Sequence, residues 1–370
     1  MFIWKIYNDL TRYFRVSDWW NHIVPPILAF TYLSILINNC TLKDSYLNLL
    51  FFLLCIFGTA GFGYFLNNVS DIEVDASAGK ENTAAILSFW KKYLLLILLL
   101  AISIIPLFFI YPRLIIFFLF FFQLILLIVY TLPPLRLKKA IYAGLAIDAL
   151  YSSVIFSIIG LLLFAGKSLL SNNFVISVFI LSVLMFIKGF RNILYHQISD
   201  EEYDRKSGFR TFVTQKGQKY TVKLISRVLI PLEIVVIIVL VVFISFTLVK
   251  KFYIIIPLYL LYVLISVLLF KVKKNSLWYS ELLNNLYADL LPLFIISLSI
   301  FFDKWYILLL LIHFFLFRGK PIFILVKKIF YIVLIHYLFH GVIVWLYYKL
   351  CCNVYAQKFY RFLGYKKKTS

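Results

Sequence analysis

The sequence predicts an all-α, polytopic membrane protein, and two observations carry that prediction. Of its 370 residues 63% are hydrophobic and only 14% are charged, with a mean hydropathy of +0.95. An ordinary soluble domain is near half apolar and a quarter charged. The apolar residues also come in runs of about 16–25, the length that carries a helix across a hydrocarbon core. The ten-residue alternating segments of a membrane β-barrel do not occur in the sequence. The composition equally excludes a disordered chain, a coiled coil and a disulfide-stapled secreted module.

Taken in order, the expected spans are residues 22–39, 46–66, 92–111, 114–131, 143–165, 174–194, 223–248, 252–270 and 286–302, each an apolar run bounded by polar segments. The first follows a mixed stretch, Met1 to Arg15, without the pattern of a cleavable signal. Two further runs follow, 305–317 and 329–349. The first is short for a crossing; the second holds His336 and His340 between Lys327, Lys328 and Lys349. Each fits a span, a re-entrant piece or an interfacial helix.

Lys and Arg number 37 against 16 Asp and Glu, a net charge of +21. In a soluble protein this would suggest nucleic acid. Here the basic residues sit between apolar runs, where the positive-inside bias and anionic headgroups account for them. With the N-terminus inside, the inner loops 67–91, 132–142, 195–222 and 271–285 hold most of the loop cations, and the outer loops hold only Lys43, Arg113, Lys167, Lys250 and Lys251. If both late runs crossed, the basic tail (Arg361, Lys366, Lys367, Lys368) would lie outside, against the charge rule, so they are not both expected to cross fully. Cys40, Cys55, Cys351 and Cys352 show no metal-ligand or disulfide spacing.

Half the acids lie in two short segments: Asp71, Glu73, Asp75 and Glu81, then Asp200, Glu201, Glu202 and Asp204. The segments 67–79 and 196–208 align without a gap, so Ser70, Asp71, Asp75 and Gly79 match Ser199, Asp200, Asp204 and Gly208. Each ends an even-numbered span. The chain therefore reads as two four-span units carrying one repeated device.

Residues four apart stack on one face of a helix. Asn67, Asp71 and Asp75 are expected to form one polar stripe, and Asn192, His196, Asp200 and Asp204 another. Like charges at that spacing destabilise a helix and are best tolerated with a cation between them. Two facing carboxylate pairs suit Mg²⁺, which takes oxygen ligands and leaves room for phosphate oxygens. With Lys and Arg nearby, the pattern describes a diphosphate site. Solvated helix ends, or an ion pathway in a transporter, are the alternatives. Transport sites favour broken helices at the midplane, whereas these clusters lie at span ends.

At this point the residues resemble a family. Asn67 through Asp75 is similar to the first aspartate-rich motif of the UbiA superfamily of intramembrane prenyltransferases, with Asn68 where that family often has Asp. Asp200 to Asp204, followed by Gly208, resembles the second motif, and Tyr130 to Lys138 (Y-T-L-P-P-L-R-L-K) resembles the family's stretch after the fourth span. The resemblance implies a bundle of about nine transmembrane helices around a central cavity, over residues 1–302 with the motifs at 67–83 and 192–211, and a hydrophobic, basic extension at 303–370. It implies transfer of a prenyl group from a prenyl diphosphate to a small acceptor, expected to be aromatic, with release of diphosphate. The bilayer would be its setting; loop charge places the site toward the cytoplasm, and the abundance of Lys, Ile, Phe, Tyr and Asn suggests a bacterial inner membrane. A polyprenyl-phosphate glycosyl (phosphoribosyl-type) transferase using the same metal site is the alternative reading.

The roles follow residue by residue. Asp71, Asp75, Asp200 and Asp204 are the expected Mg²⁺ ligands, with Asn67 as a neutral donor. Lys80, Arg136, Arg205 and Arg210 are candidates for the diphosphate, with Arg136 favoured because Pro133 and Pro134 fix the chain before it; Lys138 is a further candidate. Lys188 and Arg191, near the end of the sixth span, would be costly in lipid unless they faced the cavity. Asn68, Asn192 and Tyr130 are further substrate contacts, and His196 could orient or deprotonate the acceptor. Asp148, Glu233 and Asp289 lie inside apolar runs and are functional candidates, or else helix–helix hydrogen bonds. Two places depart from the family: Gly79-Lys80-Glu81-Asn82-Thr83 after the first motif, and His196 four residues before Asp200.

Overall fold

The structure is a computed structural model that describes residues 11–110, 114–270 and 278–317. Arg113, the segment 271–277 with Lys271, Lys273 and Lys274, the 329–349 run with its histidines, Cys351, Cys352 and the basic tail lie outside the described residues. The described residues divide after Leu310 into two units. The helix bundle and its cavity belong to the first.

The described residues contain helices and no strand. We number the main helices α1 Val24–Asn38, α2 Leu42–Ser70, α3 Ile72–Ala78, α4 Phe89–Phe109, α5 Leu114–Thr131, α6 Ile141–Leu163, α7 Asn172–Lys206, α8 Gln218–Thr247, α9 Phe252–Ile265, α10 Trp278–Ser299 and α11 Tyr306–Phe317. Seven of them (α2, α4, α5, α6, α7, α8 and α10) are long and apolar enough to cross a membrane; α1, α9 and α11 are apolar but shorter. The expected spans all fall on these helices.

Local chemistry sets the ends. Pro25 and Pro26 occupy the first turn of α1, where a missing N–H costs nothing. Asn39 closes it with φ +49°, a conformation Asn tolerates. Thr41 caps α2 by accepting from the Asp44 amide at 3.3 Å. Nearby, the Leu42 amide donates to Asp303 Oδ2 at 2.8 Å and the Tyr306 hydroxyl donates to the Cys40 carbonyl at 2.8 Å, tying residues 303–306 to the start of α2.

The helices close into a ring by neighbour packing. α2 packs on α4 and α5, α5 on α6, α6 on α7, α7 on α8, α8 on the start of α9, α9 on α10, and α10 on α1, which also packs on α6. Small residues permit the tightest approaches. A Cβ on Gly189 of α7 would stand 2.8 Å from the Ala149 Cα of α6. Close backbone approach at small residues is how helices associate without a hydrophobic drive between them.

One expectation is corrected. The first acidic segment keeps Asn67, Asp71 and Asp75 on one cavity but not on one unbroken helix: α2 ends at Ser70, Asp71 adopts φ −105° and ψ 6°, and α3 starts at Ile72. The second segment continues unbroken as the last turns of α7. The carboxylate at the break is held by cations from another loop, which supplies what helical continuity would otherwise provide. The two segments do end alike. Gly79 and Gly208 both sit at φ +69°, and the amides that follow them return to the carbonyls of Asp75 (2.9 Å) and Asp204 (2.8 Å). Only glycine takes that cap without strain, which explains the repeated D-x3-D-x3-G spacing.

Candidate active site

A cavity of about 1210 Å³ opens among α2, α3, α5, α6, α7 and α10. Asn67, Asn68, Asp71, Asp75, Lys80, Tyr130, Lys138, Asn192, His196, Asp200 and Asp204 all line it. The contact of α3 with α7 brings the two acidic segments onto this one space.

At the first segment, Lys138 Nζ donates to both Asp71 oxygens (2.6 and 2.7 Å) and to Asn67 Oδ1 (2.7 Å). Burial pushes the Lys138 ammonium below the usual lysine range, and the Asp71 charge opposes that fall. Arg136, at φ +38°, reaches Asp71 Oδ1 at 2.5 Å and the Ser70 carbonyl at 3.3 Å. Asp75 accepts from Asn82 Nδ2 at 2.7 Å, and the same amide reaches the Asn68 carbonyl at 2.8 Å. Burial raises the Asp75 carboxyl above the usual carboxylate range, and the Asn82 hydrogen bond and Lys80 offset part of the rise.

The second segment sorts its acids by helical face. Asp200 and Asp204 line the cavity. Glu201 and Glu202 pair outward with Arg205 (2.8 Å) and Lys206 (2.6 Å), one turn on. Lys80 Nζ crosses from the loop after α3 to Asp200 Oδ2 at 3.2 Å, and His196 Nδ1 lies 3.7 Å from the same oxygen. The cavity-facing charges therefore form two groups, Lys138 with Asp71 and Lys80 with Asp200, on one space.

Five expected contacts are corrected, because their side chains do not line the cavity. Arg136 is spent on Asp71 and the Ser70 carbonyl. Arg205 pairs with Glu201 on the exposed side, and Arg210 is exposed. Arg191 is fully buried. Its guanidinium donates to both Glu233 oxygens (2.6 and 3.0 Å), to Asn284 Oδ1 (2.9 Å) and to the Ser280 hydroxyl. Lys188, buried beside it, lies over the Tyr287 ring at 5.6 Å. Glu233 is accordingly a helix–helix partner, since a buried charge needs a hydrogen-bonded counter-charge.

Other cavity residues carried no sequence signal. Arg12 and Arg15 come from the N-terminal stretch; Arg15 lies 5.5 Å over the Tyr64 ring, and Arg12 meets Glu81 at 3.3 Å. Glu281, Asn284 and Asn285 arrive on α10. Asn82, beside the cavity rather than lining it, holds Asp75 from the 79–83 stretch that the sequence marks as atypical without singling out the Asn. A lone Asn in a loop announces nothing until the chain folds it against a carboxylate.

Among the described residues no group of three His, Cys, Asp or Glu side chains is close enough to hold a metal ion. The donor set still fits Mg²⁺, which binds through one or two carboxylates, several waters and substrate phosphate oxygens rather than a closed protein cage. Asp71 with Asp75 and Asp200 with Asp204 offer such hard-oxygen pairs on two sides of one cavity.

A helical bundle with membrane-length spans and a charged internal cavity defines an integral membrane protein with a buried polar site. The chain belongs to the UbiA prenyltransferase family, whose model matches residues 27–298. No curated protein sequence matches it. Among solved structures it is similar to a UbiA homolog from Archaeoglobus fulgidus bound to GPP and Mg²⁺, with 18% identity, a TM-score of 0.59, and coverage of 80% of this chain and 99% of that one. The same homolog bound to DMAPP and Mg²⁺ gives 18% identity and a TM-score of 0.58 over the same shares. A structure titled for digeranylgeranylglyceryl phosphate synthase gives 17% identity and a TM-score of 0.51, covering 79% and 98%. At these identities the likeness shows the fold.

Proposed function

We propose that the chain is a Mg²⁺-dependent intramembrane prenyltransferase that moves a prenyl group from a prenyl diphosphate to a small acceptor and releases diphosphate. The observation that carries this reading is the meeting of two carboxylate pairs and two lysines, Lys80 and Lys138, on one cavity of a UbiA-family bundle. The A. fulgidus homolog, bound to GPP or DMAPP with Mg²⁺, supports it. Asp71, Asp75, Asp200 and Asp204, with Asn67, would hold the metal, which when bound neutralises the leaving diphosphate. Lys80 and Lys138 exchange their carboxylate contacts for the outer diphosphate oxygens, so their charge is already in place as the allylic C–O bond weakens. Arg136 keeps Asp71 oriented. Tyr64, Tyr130 and Tyr151 line the cavity, and ring faces turned to a developing carbocation stabilise it by roughly 0.5–2 kcal/mol each. His196, beside Asp200, is placed to orient the acceptor.

The transferase core occupies residues 1–302, with 303–370 as an extension. The basic bias of the motif-bearing loops supports a site on the cytoplasmic side of the membrane, which in this reading is a bacterial cell membrane. The test incubates the purified full chain with radiolabelled geranyl diphosphate and a membrane lipid extract, with and without Mg²⁺. Mg²⁺-dependent release of diphosphate with a prenylated product is expected. Turnover only with an activated sugar would move the reading to the polyprenyl-phosphate glycosyl transferase. No turnover, with cation flux in liposomes, would replace it with a transporter.

A further inference from the structure

The cavity has a second polar wall, of which the donor chemistry uses only the ring faces of Tyr130 and Tyr151. It is built by α5 and α6. Gln123, Leu127 and Tyr130 share one face of α5 at helical spacing, and Asp148, Tyr151 and Ser152 come from α6; all six line the cavity. A π-helical turn, Leu150–Val154, interrupts α6 directly after Asp148. Such turns leave the helix ladder locally unmatched and recur at functional sites. Here Gln123 Nε2 takes the Tyr151 carbonyl at 2.9 Å. The Tyr151 hydroxyl donates to Asp148 Oδ1 at 2.7 Å, and the Tyr130 and Tyr151 rings pack at 5.3 Å.

Two features of this wall point to a ligand. Gln123 is 2% exposed, and its Oε1 has no hydrogen-bond partner among the described residues. A buried acceptor left unpaired costs free energy that an incoming donor recovers. Asp148 forms no ion pair among the described residues, in contrast to Asp71 and Asp200. Its one described hydrogen bond leaves Oδ2 with open acceptor capacity. The wall therefore offers two acceptor atoms, one of them on a carboxylate without a counter-ion, and no lysine or arginine. Lys80 and Lys138 pair with Asp200 and Asp71 of the acidic segments instead.

From this we infer that the α5–α6 wall is the acceptor subsite, and that it takes an uncharged head bearing at least two O–H donors, one for Gln123 Oε1 and one for Asp148. An acceptor carrying a carboxylate at this end would meet like charge at Asp148 and leave Gln123 unsatisfied, so it is disfavoured. The inference rests on the prenyltransferase reading and names the class of acceptor for it.

The test uses the full chain in detergent with hydroquinone and 4-hydroxybenzoate as probes. The two are similar in size, and one hydroxyl of the first is replaced by a carboxylate in the second. Affinities are read by equilibrium dialysis, with and without Mg²⁺ and the unreactive donor analogue geranyl thiolodiphosphate. Hydroquinone is expected to bind about tenfold more tightly than 4-hydroxybenzoate, and Gln123→Met and Asp148→Asn each to lose about tenfold of that affinity. Binding of the thiolodiphosphate should stay unchanged in both variants. Equal or reversed preference in the wild type, no binding of hydroquinone, or retained affinity in Gln123→Met overturns the inference. Gln123→Met decides by itself if Asp148→Asn does not fold. Failure of the thiolodiphosphate to bind the wild type counts against the donor reading alone, because the hydroquinone preference is also read without it.

Discussion

Asp71 receives two cations from one loop, and they do different work. Arg136 fixes it from outside the cavity, while Lys138, with its side chain 7% exposed, approaches from within. Lys138→Met should therefore raise the KM for geranyl diphosphate about tenfold, the size of a lost charge-assisted contact, while Lys188→Met and Arg205→Met stay within about twofold. A KM change in Lys188→Met as large as in Lys138→Met would count against this division of labour. Asp71→Ala and Asp200→Ala should each lower kcat by about 10² or more, with melting behaviour close to the parent. Near-normal turnover in either would remove the metal-site assignment. At this scale the sequence exposed the carboxylates, because they repeat. It ranked Arg136 above Lys138 for the diphosphate, whereas the structure places Lys138 on the cavity and Arg136, at φ +38°, off it.

Among the elements, α7 carries the most. Its length lets one helix hold Arg191, buried against Glu233 of α8, and, between three and four turns on, the cavity-facing Asp204. Glu233→Ala leaves the Arg191 charge buried without a counter-ion and should destabilise the protein by about 3–5 kcal/mol. Replacing both by Met should recover most of that loss, as read by thermal melting in detergent. A double variant no more stable than the single one would show that the pairing does not account for the effect. The contact of α7 with α6 is as demanding. Gly189→Val puts a side chain against the Ala149 backbone and should cost about 1–3 kcal/mol while displacing the neighbouring Asp148. The same melts, with hydroquinone binding as a second readout, check it. Helical periodicity foretold the acidic stripe of α7 but not the break at Asp71. A single residue leaving helical dihedrals, as Asp71 does, leaves no trace in local spacing.

For the whole molecule, removing divalent cations with EDTA should abolish diphosphate release, and added Mg²⁺ should restore it. Release that persists in EDTA would rule out the metal role. The membrane class, the positions of the apolar helices and the pairing of two acidic segments were legible in the chain itself, whereas two of the nine expected spans, 22–39 and 252–270, fall on helices shorter than a crossing. The legible features depend on run length and on repetition, and both are properties of order along one dimension. Which charges face the cavity was not legible. Lys188, Arg191 and Lys138 are alike in composition, and their fates diverged through packing. Arg191 met Glu233 across two helices and was neutralised, Lys188 was left over an aromatic ring, and Lys138 met Asp71 beside a space large enough for a substrate. The sequence by itself determined that this protein lives in a membrane and carries acid at two matching helix ends. Only the tertiary structure decided which basic groups are spent inside the protein and which face the cavity, because a buried charge is committed by whichever partner the fold brings within hydrogen-bonding distance.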